Sequence, residues 1–427
     1  MDHGDAGHED DMQPELTVLF VHKDFPSQYR GLLEHYLRRP DTRVCAISRA
    51  SQRTPIPGVI EAAYGDIGER PEGLHQYARH VEEHIRRGVA VMEAAKALRR
   101  AGVVPDLIYA HPGWGEALFL KDVFPNARLL CYCEHYYLPR ANDAAFDPEF
   151  PIAEYHWPIL DLQNTSGLLA LAACDRGVSP TFWQRGNYPR EWHDKIAVIH
   201  EGVDTDAVHP DPTASLRVNG PGLDMACGDE LVTYVARDLE PYRGFHTFMR
   251  ALPELLRLRP HCRVLVVGRE GVSYGMKPPF GQSYARRYKA QYPVDPGRVC
   301  FLDTLPYPDY LKVLQVSACH VYLTYPFVLS WSALEAMATG CLLVGSDTAP
   351  VREVVEDGVN GFLTDFFDPH ALARRIAEAL AHRHELGHVR RAARETVLSR
   401  YDKKRVCLPA HVRLAEQVLA GGCDANS

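Results

Sequence analysis

From Leu16 onward, short runs of apolar and β-branched residues alternate with longer stretches in which apolar positions recur every three or four residues. The runs have the length of buried strands and the stretches have the period of amphipathic helices, so the chain reads as βα units building parallel sheets. The fold class is α/β. In the first half the expected strands are LTVLFV (16–21), RVCAI (43–47), DLIYA (106–110), RLLCYC (128–133), RGVS (176–179) and IAVI (196–199). Periodicity then fails over HPDPTASLRVNGPGLDMACGDE (209–230), where Pro, Gly, Asp and Asn gather as they do in connecting segments. It resumes with LVTYVA (231–236), RVLVVG (263–268), RVCFLD (298–303), HVYLT (320–324), CLLVGS (341–346) and GFLTD (361–365). Between the first two of these, GFHTFMRALPELLRL places Phe245, Phe248, Met249, Leu252, Leu255 and Leu256 on one helical stripe.

A chain of 427 residues is long enough for two hydrophobic cores. The expected division is a domain over 16–200, a linker over 201–230, a second domain over 231–400, and a C-terminal helix and tail over 401–427 that pattern alone assigns to neither. The leader MDHGDAGHEDDMQPE (1–15) is acidic and lacks the basic start and apolar stretch of a secretory signal, so it is expected to be a disordered tail. No apolar run approaches the ~18–20 residues that span a bilayer. A net charge of −8 gives no global attraction for nucleic acid or an anionic surface, so any anionic ligand must be met by local cations. Several of the 11 cysteines, Cys131, Cys133, Cys262, Cys300, Cys319 and Cys341, fall in apolar strand-like stretches as small hydrophobes. Cys131-x-Cys133 has no second pair at zinc spacing, which favours buried thiols over a metal site and a reducing, cytoplasmic setting.

Ligands of open α/β sheets bind beyond the carboxyl ends of the strands, and two such domains facing each other enclose a cleft. VARDLEPYRGF carries Arg237 and Arg243 across a Pro-containing turn, a pair of forks suited to phosphate oxygens unless Asp238 and Glu240 claim them. In YPFVLSWSALEAMATG, Glu335 is expected in the first turn of a helix. Either it closes a capping box with Ser332, or it faces the cleft beside the backbone N–H groups of Ser330, Trp331 and Ser332, a site for an anion. In the first half, HKDFPSQYRG offers Phe25, Pro26, Ser27 and Gln28, with Ser27 suited to cap the following helix. His111, Trp114 and Glu116 in HPGWGE, and Glu134 and His135 in CYCEHYYLP, also follow expected strands. The basic stretch HQYARHVEEHIRRGVAVMEAAKALRRAG is interrupted by Glu82, Glu83 and Glu93 and reads as a solvated helix face.

VARDLEPYRG, LVVGREG, ALEAMATGCLLVGSDTAPVREVVEDGVNGFL and IHEGVDTDAVHP together resemble the nucleotide-sugar-binding half of retaining GT-B glycosyltransferases of family 4. HKDFPSQYR and HPGWGEALFLKDVFP extend the likeness into the first half, over most of residues 16 to about 400. The resemblance implies two Rossmann-like, doubly wound domains facing across a cleft. It implies a retaining enzyme that moves a sugar from a UDP- or GDP-type donor to a saccharide or small-molecule acceptor, without metal or cofactor. By the same likeness Glu335 meets the ribose hydroxyls, and Arg237 and Arg243 hold the diphosphate, Arg243 standing where the family has Lys. Gly268 lets backbone approach the nucleotide and Thr304 and Leu305 border the base. His111, Glu134 and His135 become the candidate catalytic groups, and the 25–28 loop with Trp114 and Glu116 the diphosphate or acceptor side. One departure stands out: the family's E-x7-E pattern has its first Glu where this chain has Phe327. It makes a non-catalytic sugar- or nucleotide-binding paralogue one alternative; another GT-B enzyme, such as a nucleotide-sugar epimerase or a phosphorylase, is the other.

Overall fold

The structure is a computed structural model that describes residues 15–52, 55–69, 71–218 and 223–421. The expected tail, apart from Glu15, lies outside the described residues. A first, seven-stranded sheet contains β1 (Leu16–Val21), β2 (Thr42–Arg49), β3 (Val59–Tyr64), β4 (Leu107–Ala110), β5 (Arg128–Tyr132), β6 (Arg176–Ser179) and β7 (Ile196–Val198). Its strands are all parallel, in the order β3-β2-β1-β4-β5-β6-β7. An antiparallel pair, β8 (Ser215–Val218) and β9 (Leu223–Ala226), follows. The second, six-stranded sheet contains β10 (Leu231–Asp238), β11 (Arg263–Arg269), β12 (Val299–Leu302), β13 (Cys319–Tyr322), β14 (Leu342–Ser346) and β15 (Phe362–Thr364). It is parallel in the order β12-β11-β10-β13-β14-β15.

Both sheets are covered on both faces, and this is why their central strands are continuous apolar runs. Val18 to Val21 on β1 and Val264 to Val266 on β11 are fully buried. The helix Phe245–Leu258 packs its Phe245, Phe248, Met249, Leu252 and Leu255 against β10 and β11 residues such as Tyr234 and Val266, with Leu256 at the margin. Two elements escaped the pattern. β3 lies at a sheet edge, where Glu61 and a half-exposed face break the apolar run. The β8–β9 pair sits inside the expected linker; Leu216 and Met225 are its only deeply buried described side chains and they pack on Leu231 and Leu265.

The last helix, Leu408–Leu419, places Leu414, Ala415 and Val418 against Val18, Phe20 and Leu33, so the chain ends on the first sheet. The segment after β5 crosses the other way. Asp143 accepts from the Tyr242 hydroxyl at 2.8 Å, Asp147 from the Tyr325 hydroxyl at 2.6 Å, and Glu149 from Arg250 and from the Tyr288 hydroxyl. Phe146 adds a ring contact to Tyr325 at 5.1 Å. Three carboxylates of the first half are thus held by groups of the second. Every described cysteine is a free thiol, and all but Cys227 are buried.

Candidate functional site

In both sheets the chain reverses direction between its first and fourth sequential neighbours, and the loops that follow these strands diverge there. Lys23 follows β1 and His111 follows β4; Arg237 ends β10, and Tyr325 and Phe327 follow β13. Most of these side chains meet in a cleft of about 610 Å³ between the halves, lined by Lys23, Trp114, Glu134, His135, Arg237, Tyr242, Tyr274, Tyr325 and Phe327 among others. A smaller cavity of about 80 Å³ shares Arg237 and Tyr274 with the cleft and is otherwise bounded by Arg243, Ser330, Ser332 and the ends of β10 and β13.

The two arginines reach that corner by different means. Gly244 adopts φ 67°, and a Cβ there would lie 2.4 Å from the Leu323 Cβ, so only glycine lets the turn press onto the β13 loop. That turn buries Arg243. Its Nη1 donates to Thr324 Oγ1 at 2.8 Å, to the Tyr322 hydroxyl at 3.2 Å and to the Val328 carbonyl at 3.2 Å, while its plane faces Tyr274 and Phe327. Arg237 is exposed and makes no ion pair among the described residues; its one contact is with the Tyr274 ring, at 5.9 Å. The carboxylates that stood as its rivals are committed elsewhere. Asp238 takes both arms of Arg269 at 3.0 and 3.1 Å, and Glu240, fully buried, accepts the N–H groups of Ser273, Tyr274 and Gly275.

The helix Trp331–Ala338 corrects several expectations. Its N-cap is Ser330, so Glu335 lies in the second turn and forms no capping box with Ser332. Its carboxylate instead accepts from the Tyr307 and Tyr310 hydroxyls, both at 2.7 Å. Burial holds its pKa above the usual carboxylate value, and the two tyrosine hydrogen bonds offset only part of that rise. The helix start is also less open than its sequence suggests: the Ser330 N–H donates to the Tyr322 hydroxyl at 2.7 Å and the Ser332 N–H to Ser330 Oγ at 3.4 Å. Trp331 turns its indole N–H toward Glu201 at 3.4 Å. Ser332 lines the phosphate-sized corner while Glu335, one turn along the helix, stands beside Tyr307; Thr304, exposed, and Leu305, half-buried, precede that tyrosine in the chain. Gly268 has a packing reason of its own, because a Cβ there would come within 2.7 Å of the Ala236 carbonyl and of Leu239.

In the first half, Glu134 is the hub. His111 Nδ1 accepts the Gly113 N–H at 3.1 Å, which places its proton on Nε2, and Nε2 donates to Glu134 at 3.1 Å. Gln28 donates to the other carboxylate oxygen at 3.1 Å. Burial pushes the Glu134 carboxyl up, but the His111 hydrogen bond and the surrounding imidazoles outweigh it and hold the group at about 2. Trp114 stacks on His111 at 4.2 Å and carries the Lys23 ammonium 3.6 Å above its ring. His135 differs from its neighbour. Neither ring nitrogen has a hydrogen-bond partner among the described residues, its Asp143 carboxylate lies 3.9 Å away, and its ring meets Phe327 at 4.9 Å. Burial lowers its pKa, so it is a neutral donor and acceptor facing the cleft.

The remaining first-half candidates are structural in their contacts. Ser27 does not cap the next helix; it lies inside a 3-10 turn with Pro26 at the N-cap, and its hydroxyl donates to Gln28. Phe25 packs on Phe20. Glu116 is fully buried beneath the loop, accepting from the Tyr64 hydroxyl at 3.2 Å, and does not line the cleft. Sequence reasoning missed Lys23, Tyr242, Tyr274, Tyr307 and Tyr310. Tyr242 sits inside the very loop that holds the arginines, and Tyr307 and Tyr310 follow Thr304 by three and six residues, so proximity to singled-out positions was the available signal.

Comparison with known proteins settles the family. Residues 40–208 match the model of the glycosyl transferase family 4 group, and residues 226–396 match that of the glycosyl transferases group 1. The chain belongs to the GT-B glycosyltransferases of family 4. Among curated relatives, a D-inositol 3-phosphate glycosyltransferase of Segniliparus rotundus is 27% identical over 214 residues, covering 49% of this chain and 45% of that protein. Spore coat protein SA of Bacillus subtilis is 25% identical over 233 residues, covering 49% of this chain and 59% of that one. The match therefore spans about half the length of these relatives. Solved structures share the fold over nearly the whole chain. Sucrose-phosphate synthase from Thermosynechococcus elongatus superimposes with a TM-score of 0.70 at 18% identity, covering 96% of this chain and 100% of that one. Anabaena HepE in complex with UDP and glucose gives 0.64 at 16% identity, covering 94% and 100%.

Proposed function

We propose that this family member transfers a sugar from a nucleoside diphosphate sugar, of UDP or GDP type, to an acceptor hydroxyl with retention of anomeric configuration. The observation that carries the reading is the corner where Arg237, Arg243, Ser330 and Ser332 bound one small cavity opening onto the cleft. A diphosphate seated there meets two cations, the locked Arg243 and the exposed Arg237, which has no protein acid to release first. Arg243, locked on three acceptors, pays its ordering cost on folding and is preorganised for the charge that builds on the leaving group. Glu335, held by two tyrosines, accepts from the ribose hydroxyls one helical turn away.

In the reaction the anomeric C–O bond to the diphosphate breaks, the acceptor oxygen bonds to the same carbon from the same side, and the departing phosphate takes the acceptor proton. The two guanidinium groups supply the charge stabilisation, so the reaction proceeds without a divalent metal. His135, with both ring nitrogens free, is placed to hydrogen-bond the sugar or acceptor, and Glu134 with His111 forms the rim behind it. The buried free thiols fit a reducing cytoplasm, and no described helix is long and apolar enough to cross a membrane.

The experiment is calorimetry with UDP, GDP, ADP and dTDP followed by donor turnover. HepE's complex makes UDP the first nucleotide to try. Micromolar binding of one of the four, and release of that diphosphate from its sugar in the presence of acceptor and chelator, is the expected result. Absence of binding by all four overturns the reading. Binding without turnover over a broad acceptor panel instead favours a non-catalytic paralogue, the alternative that Phe327 at the sugar position supports.

A further inference from the structure

Away from the arginine corner, six apolar or aromatic side chains line the cleft alongside the polar His80, His156 and Gln163. Phe150, Ile152, Ile159 and Leu160 come from the first half, and Met276 and Tyr284 from the second. The Phe150 and Tyr284 rings meet edge-on at 5.5 Å, and the Tyr284 hydroxyl is spent on the Met276 carbonyl at 2.9 Å, so this wall offers faces and methyl groups rather than donors. Ile152, Ile159 and Leu160 are half-exposed and Met276 is 51% exposed.

The helix Trp157–Ala173 explains how this surface stays uncovered. It is apolar nearly all round, yet the residues it buries include Asn164 and Ser166. The Asn164 side chain clasps the Tyr137 backbone through both its oxygen (2.8 Å) and its nitrogen (2.9 Å), and Ser166 pairs with His84 at 2.8 Å. These polar anchors set the helix rotation and leave Ile159 and Leu160 facing the cleft instead of the core. Apolar surface held open inside a cleft by buried polar bonds is the lining of a site for an apolar ligand.

Two carboxylates nearby are already engaged, whereas Gln163 and His156, whose Nδ1 has no hydrogen-bond partner among the described residues, lie at the margin of the apolar patch. Glu134 is occupied by Gln28 and His111, and Asp143 by Tyr242. A plain saccharide lying against the apolar part of this wall would set hydroxyl groups on side chains that offer neither donor nor acceptor. We propose that the acceptor is amphiphilic: one hydroxyl is presented toward His135 and the donor, and an attached aryl or alkyl body lies against Phe150, Ile152, Ile159 and Leu160. This rests on the glycosyl-transfer reading and names its acceptor class.

The test compares 4-nitrophenyl β-glucoside with methyl β-glucoside, which share their hydroxyl groups and differ in the apolar body. Affinities are measured by calorimetry, with and without saturating UDP. The expected result is at least tenfold tighter binding of the aryl glycoside, with that ratio falling to near unity in Ile159→Asn and in Leu160→Asn. Met276→Gln, on an exposed loop position, lowers the ratio about two- to threefold and guards against loss of fold in the helix variants. Equal affinities, or a ratio that survives all three substitutions, overturn the proposal. If UDP and the other nucleotides fail to bind while the aryl preference stands in nucleotide-free protein, the donor reading falls and the apolar subsite remains.

Discussion

The two walls of the cleft satisfy their polar groups in opposite ways. On the first half, Glu134, His111 and Gln28 close a network among themselves, with Trp114 stacked on it, and the capacity for a ligand rests with Lys23, His135, His156 and Gln163 along the cleft. On the second half, the acids that would neutralise the arginine loop are diverted, Asp238 to Arg269 and Glu240 to three backbone N–H groups. Arg237 is left without an acid. A wall that neutralises itself is a shaped surface; a wall that keeps a cation unpaired next to a cavity is a binding site for an anion. On the proposed function, this contrast assigns the donor to the second wall and the acceptor to the first.

Substitutions can break that contrast, and Arg243→Ala should do the most damage. It strips three acceptors of a buried donor and should cost about 2–4 kcal/mol of stability as well as nucleotide affinity; a drop in denaturant midpoint alongside lost UDP binding checks it. Next is Glu201, which joins the walls through Trp331. Burial raises its pKa to about 7, so the folded state holds a proton that the unfolded chain has released above its ordinary value near 4.5. Its contribution is complete below that value and is lost as pH rises toward 7 and beyond, on the order of 3 kcal/mol in all. Glu201→Gln should flatten that fall in melting temperature between about pH 5 and 8.

Arg237→Ala should leave stability within about 0.5 kcal/mol yet weaken nucleotide diphosphate binding by about 1.5–3 kcal/mol, since the side chain has no structural partner to lose. If instead Arg237→Ala lowers stability by about 2 kcal/mol or more while the folded protein keeps its UDP affinity, the walls have been assigned the wrong way round. Glu335→Ala should cost about 1–3 kcal/mol of nucleotide affinity, with a nucleoside monophosphate losing as much as the diphosphate because the ribose is common to both. The smallest effect is expected on the first wall. Gln28→Ala leaves one Glu134 oxygen open to water and should cost about 0.5–1 kcal/mol of stability with nucleotide affinity unchanged.

How far the residues themselves revealed this arrangement differs from element to element. The central strands were legible because burial on both faces writes itself as an unbroken apolar run; β3, at an edge, needed only one buried face and left no such run. The arginine loop was legible as a place but not as a mechanism. Nothing local says that Asp238 turns to Arg269, 31 residues on, or that Glu240 is used by the backbone of 273–275. The Ser332–Glu335 spacing suggested a capping box, and what overrode it was the Tyr307–Tyr310 pair from the preceding helix, whose hydroxyls reach Glu335 only when the two helices pack side by side.

Sequence alone therefore determined the α/β class, the two-sheet division, the family likeness and the list of side chains able to bind a nucleotide diphosphate sugar, because these follow from periodicity and from the chemistry of single residues. Which arginine is free and which is locked, whether a carboxylate caps a helix or faces a ligand, and that one helix turns its leucine and isoleucine toward a cleft were decided by the tertiary structure. Each of those outcomes is a competition for hydrogen-bond partners between residues far apart in the chain, and only folding brings the competitors within reach.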